Sequence, residues 1–112
     1  MPTTYKVLGQ SNPSATTVTT LYTVPSATQA VVSTIVVANQ AATSGTYRII
    51  VQPAADVSGT ILTKQYIAYD SAITANNSTM ITIGLTLAAS DVIKVYASSA
   101  TMSFSVFGTE IS

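Results

Sequence analysis

Histidine, cysteine and tryptophan are absent from this 112-residue chain, and charge is scarce. Without histidine, the commonest general base and the commonest metal ligand are gone. Without cysteine, there is no disulfide framework and no thiolate nucleophile. Only 7% of the residues are charged, against about 25% in an ordinary soluble domain. The four bases (Lys6, Arg48, Lys64, Lys94) and four acids (Asp56, Asp70, Asp91, Glu110) cancel and lie far apart in sequence. Nucleic-acid binding needs clustered cations that displace counterions, so no nucleic-acid partner is expected. A neutral balance also gives no pull towards anionic membranes. The longest nearly apolar run, Ala30 to Ala38, is too short to cross a bilayer and contains Ser33 and Thr34. The start, MPTTYKVLGQ, lacks the charged head and apolar core of a signal peptide. Synthesis in the cytoplasm, with no membrane partner, is the expectation.

Threonine and serine are abundant, at 19 and 14 residues, so hydroxyls and amides must supply the polar surface. A dispersed monomer usually carries net charge. A neutral surface therefore reads as one covered by copies of the chain or by partners. A dilute, neutral, threonine-rich β domain is the plainer alternative.

Short alternating runs separated by turn residues fill the chain. Tyr5–Leu8 is a first strand, and residues 1–16 together read as an extended N-terminal arm. Val18–Val24 alternates, and Pro25 presets the turn that follows. Ala30–Ala38 is dense in β-branched residues and apolar on both faces, with Val31, Ile35 and Val37 on one and Val32 and Val36 on the other. Thr46–Gln52 ends at Pro53, which lacks a ladder donor. Leu62–Tyr69, Met80–Leu87 and Met102–Val106 complete the clear strands, with Ile81, Ile83, Leu85 and Leu87 facing one way. About eight strands with no convincing helix predict one all-β domain over 1–112. The architecture expected is an antiparallel sandwich of jelly-roll or Greek-key type.

The stretch LAASDVIKVYASS, Leu87–Ser99, holds an acid and a base three residues apart. On a helix Asp91 and Lys94 would be neighbours; on a strand they would point to opposite faces. DVIKVYA is rich in residues that lose side-chain freedom in a helix, and its neighbours alternate with period two. The prediction is a turn, AASD, organised by the Asp91 carboxylate, followed by a strand from Val92 to Ala97.

No chemistry is visible. Fourteen serines have no histidine to activate them, and no Gly-x-Ser-x-Gly elbow is present. No acidic loop has calcium-binding spacing, and the isolated glycines make no phosphate cradle. Neither cofactor nor metal is expected, although a calcium held by one carboxylate and several carbonyls stays open at this level. The six tyrosines are suited to subunit interfaces or to a sugar-stacking platform. Val32, Val36, Tyr66, Tyr69 and Tyr96 are the candidate interface residues.

The series VVSTIVVAN, TYRIIVQPA, KQYIAYDSAI, MITIGLTLAASDVIKVYASS and MSFSVFGTEI resembles small virion structural proteins of tailed phages, especially those of cyanobacteria and other aquatic bacteria. The shared parts are Ala38-Asn39 closing a strand, the Leu87–Tyr96 segment, and Gly108 to Ile111. Ser90 stands where related chains often have glycine, which weakens the case for a strained turn there. The resemblance implies a non-enzymatic, many-copy virion part. First among these is a head decoration or cement protein that associates with itself, often as a homotrimer, and clamps the major capsid protein. A neck, tail or fibre-associated component is the alternative, and a glycan-binding β-sandwich module is the alternative of another class.

Overall fold

In the computed structural model, residues 3–57 and 59–112 are described. The alternating segments form eight strands: β1 (Thr3–Ser11), β2 (Thr19–Thr23), β3 (Gln29–Asn39), β4 (Gly45–Gln52), β5 (Tyr66–Ile73), β6 (Ser78–Leu87), β7 (Val92–Ala97) and β8 (Met102–Ile111). They make two four-stranded antiparallel sheets, ordered β1-β8-β3-β6 and β2-β7-β4-β5. The ladders join β1 to β8, β2 to β7, β3 to β6 and β4 to β5. That nesting is one long hairpin with its tip at β4–β5, rolled until β3 meets β8 and β4 meets β7. This is the jelly roll, the more specific of the two architectures expected.

The core lies between the sheets. Val32, Ile35 and Val37 from β3 meet Ile49 and Val95 from the facing sheet, with Met102, Phe104 and Val106 from β8. Phe104 is packed by the edge of Tyr47, with ring centroids 6.3 Å apart. Asn39 closes the apolar row of β3, its Nδ2 donating to the carbonyls of Thr43 and Thr74.

Four readings need correction. Strict alternation put Val32 opposite Ile35 and Val37, but all three are fully buried in the core. The cause is a register shift: Ser33 is an extra residue in β3, between the pairs Val32–Gly108 and Thr34–Phe107. A bulge reverses the phase of the strand beyond it. Ser33 donates its hydroxyl to the Phe107 carbonyl, at 3.1 Å. Val32 is therefore no interface residue, while Val31 and Val36 share the outer face. Secondly, residues 3–11 do not stand off as an arm. They form the edge strand β1, held to β8 from Thr3–Ile111 to Ser11–Phe104. Thirdly, β5 starts at Tyr66; the segment before it is a loop with short 3-10 turns at Ala54–Asp56 and Thr63–Gln65. Fourthly, Ser90 has a φ of 69°, so the turn before β7 does use the left-handed region despite lacking glycine.

The sandwich is closed along one side and open along the other. At β1–β2, the Gly9 backbone comes so near the Leu21 carbonyl that a β-carbon there would collide with its oxygen. At β5–β6 the sheets splay. Ile81, Ile83 and Leu85 of β6 face inward yet are only half-buried, and Ile67 of β5 is exposed. A cleft of about 350 Å³ opens there, lined by apolar Val51, Pro53, Ile67 and Leu85 with Asp56, Lys64 and Gln65.

Candidate functional site

The described residues contain no group of three or more acids placed to hold a metal ion. Each carboxylate has a local partner. Asp91 ends the turn that leads into β7. Its Oδ2 accepts from the Ala88 amide at 2.8 Å and its Oδ1 from the Ala54 amide at 2.9 Å. Its own amide closes the turn onto the Ala88 carbonyl, and its carbonyl accepts from Val24. One side chain thus ties the β6–β7 turn to the β4–β5 loop. Lys94 lies on β7 with its Nζ 3.4 Å from the Val57 carbonyl; it is bonded to that loop and not to Asp91.

Glu110 links both sheets at the open end of β8. It accepts the Tyr22 hydroxyl at 2.5 Å from β2 and pairs with Lys6 of β1 at 3.1 Å. The Tyr22 hydroxyl bond, aided by Lys6, holds the Glu110 carboxyl below the usual carboxylate range. Burial, reinforced by Glu110, pushes the Tyr22 phenol well above its ordinary value.

The two outer faces differ sharply. On β2-β7-β4-β5, the described residues of the 53–65 loop (53–57 and 59–65) are bonded back to the sheet through Gln52, Lys94 and Asp91. Ile50 and Gln52 lie outside the main core cluster, yet both are fully buried, Gln52 against Gln65 of the loop and Ile50 between Tyr66 and Lys94 in the ladder. Gln52 donates to Gln65 at 3.0 Å, and Gln65 donates onward to Asp56 at 3.3 Å. The rest of this face gathers three of the predicted tyrosines. Arg48 lies 4.2 Å from the Tyr69 ring centre and 4.3 Å from that of Tyr96, while Tyr66 meets Tyr69 edge-on at 4.9 Å. Asp70 completes the cluster with a two-toothed bond to Arg48, at 2.7 and 3.3 Å. A register shift in β5 aims Asp70 at Arg48, and Asp70 takes a left-handed φ of 49°. The structure therefore brings Tyr66, Tyr69 and Tyr96 together. Arg48 and Asp70, 22 residues apart, carried no sequence signal of pairing.

The outer face of β1-β8-β3-β6 is bare. Its cross-strand rows read Tyr5–Thr109–Val31–Thr86, Val7–Phe107–Thr34–Thr82 and Gln10–Ser105–Val36–Met80. No residue in these rows is charged. Tyr5 is 82% exposed and Met80 69%, with Val7 and Val31 also open to solvent. Val36 belongs here, half-buried by its neighbours. Sequence reasoning missed Tyr5 and Met80. Their signal was the polar-looking phase of each alternation, in which a tyrosine and a methionine stand among threonines.

No protein-family description and no curated protein matches the chain. Among solved structures, it is similar to a chain in the structure of infectious bursal disease virus Gx strain. The TM-score is 0.56 at 11% identity, over 97% of this chain and 32% of that one. The chain thus spans about a third of that viral chain's length, and the likeness is one of fold.

Proposed function

We propose that the chain is a non-enzymatic structural component of a phage virion, of the head decoration or cement type. It would lie against its neighbours through the outer face of β1-β8-β3-β6. The observation that carries this reading is that face, which has four strands, no charge in its cross-strand rows, and exposed Tyr5, Val7, Val31 and Met80. Strand spacing and rise give it about 600 Å² per copy, the size of one side of a small specific interface. A monomer rarely keeps so large a patch open. Hydroxyls among the apolar groups keep the free chain wettable and hydrogen-bond across a contact. The fold likeness to a viral chain supports a virion setting. Expected partners are copies of the chain, as a homotrimer, and the major capsid protein; a neck, tail or fibre position uses the same surface chemistry. The test is the protein content of gradient-purified virions. The chain should be present in many copies, and Val31→Lys should reduce its incorporation. Its restriction to the unassembled fraction would end this reading.

A second reading rests on the Arg48–Tyr69–Tyr96 cluster. Tyr69 is 58% exposed and stands beside an exposed carboxylate, the components of a sugar-stacking site. Arg48 already lies over Tyr69 and Tyr96, which leaves less ring surface for a ligand. A glycan array that scores wild type but not Tyr69→Ala would favour this reading; an array with no hits would remove it.

A further inference from the structure

Each sheet has two edge strands, and three of the four are blunted. β1 carries Lys6 and a register shift at Leu8, and packs its Gly9 backbone on β2. β2 has five residues and a register shift at Leu21. β5 is broken twice in register and carries left-handed Asp70. Charges, shortness and bulges are the usual means of keeping edges from pairing. β6 has none of the first two. It is ten residues long, STMITIGLTL, with no charge and no proline; its one irregularity is a register shift against β3 at Ile83–Gly84, opposite Ser33, and its inward and outward residues keep alternating through it. Its ladder is with β3 alone, and no other backbone-to-backbone hydrogen bond involves residues 78–87 among the described residues. Below this edge lies the unclosed side of the sandwich, where Ile81, Ile83 and Leu85 are half-buried and Leu85 lines the cleft with Val51 and Ile67.

We propose that β6 is a strand-addition site for the β6 of a second copy, paired antiparallel about a two-fold axis near Ile83. This rests on the assembly reading above and says how two copies join, while the bare sheet face remains free for other neighbours. The occupant follows from chemistry. An uncharged edge sets no like charges opposite each other when it pairs with itself. Because side chains alternate with period two, pairing centred on Ile83 sets Ile81 of one copy against Leu85 of the other, on the inward side where Leu85 lines the cleft. Each copy then covers the other's open seam. The edge alone supplies the main-chain bonds, and the cleft takes alternate side chains, as in other strand additions. With a strand about 33 Å long and a molecule 20 Å thick, the contact is about 650 Å² per copy, enough for a standard interface.

The experiment is sedimentation of the purified chain over a range of concentrations, with hydrogen exchange read across residues 78–87. Wild type should dimerise, with alternate β6 amides gaining protection as concentration rises. Ile83→Lys sets two lysines against each other near the axis and should weaken dimerisation about 100-fold or more. Val31→Lys, on the bare face, should leave the dimer intact. Because Ile83→Lys tests folding as well, the exchange pattern of wild type stands as an independent readout. Oligomers broken by Val31→Lys with β6 amides still exchanging freely would overturn the edge proposal and leave the virion reading standing. A monomer at all concentrations, with unprotected β6, would overturn it too, and virion incorporation would then decide the broader reading separately.

Discussion

Ile50 and Val31 both point outward from a sheet, yet Ile50 is 0% exposed and Val31 38%. The sheet that bears Ile50 has its own lid, the 53–65 loop, fastened by Gln52, Gln65, Lys94 and Asp91. The sheet that bears Val31 has none. One face is completed within the chain, and its charged residues serve that end. The other is apolar, neutral and unfinished. Most of the charges hold the chain's own parts together: Lys6 with Glu110, Arg48 with Asp70, and Asp56, Asp91 and Lys94 through bonds to the 53–65 loop.

The largest expected effect tests that contrast directly. Ile50→Ala should cost about 3 kcal/mol in urea unfolding, as for a core isoleucine, because the loop makes its outward position a buried one. Val31→Ala on the bare face should cost under about 0.5 kcal/mol in the unassembled chain. Equal costs would mean that the loop is not a lid. The closed and open sides of the sandwich offer a second contrast. Gly9→Ala drives a β-carbon into the Leu21 carbonyl and should cost about 2 kcal/mol, whereas Gly84→Ala on β6 meets nothing within 4 Å and should be near neutral.

Smaller effects probe the fastenings. Asp91→Asn keeps one acceptor of two and should destabilise by about 1 kcal/mol, with faster exchange at the Ala54 or Ala88 amide. Ser90→Gly removes the left-handed penalty and should recover up to about 1 kcal/mol, less the entropy gained by the unfolded chain. The smallest is a pH effect. Glu110 has a lowered pKa when folded, so its contribution is present above the ordinary carboxylate value of about 4.3 and fades as pH falls through the folded value. Tyr22 has a raised pKa, so its contribution is complete below about 10 and is lost as pH rises beyond that. Tyr22→Phe should flatten the alkaline limb of the stability profile and shift the acid limb towards that of an ordinary, unpaired carboxyl group. An unchanged profile would show that the bond does not persist in solution.

Much of the fold was legible because alternation is a local signal. Met102, Phe104 and Val106, or Ile81, Ile83 and Leu85, announce their shared faces within a few residues. The turn at Asp91 was legible from its side chain and its place before a β-branched run. What stayed hidden was non-local. Ser33 looks like any strand serine, but its extra place in the ladder is decided by β8, and that one residue moved Val32 from surface to core. The loop fastened to Gln52, Lys94 and Asp91 carries no period in its residues. Arg48 and Asp70 meet only because β5 is bulged. The tyrosines could be picked out as a set by their chemistry; that three of them surround one arginine could not.

Solvent labelling by hydroxyl radicals tests the central claim most directly, because both faces carry exposed, oxidisable side chains. In the free chain Tyr5, Met80 and Tyr69 are 82%, 69% and 58% exposed, and all should react. In purified virions, Tyr5 and Met80 should be protected while Tyr69 stays reactive. If Tyr5 and Met80 react as fast in the particle as in the free chain, the bare face is not the assembly surface.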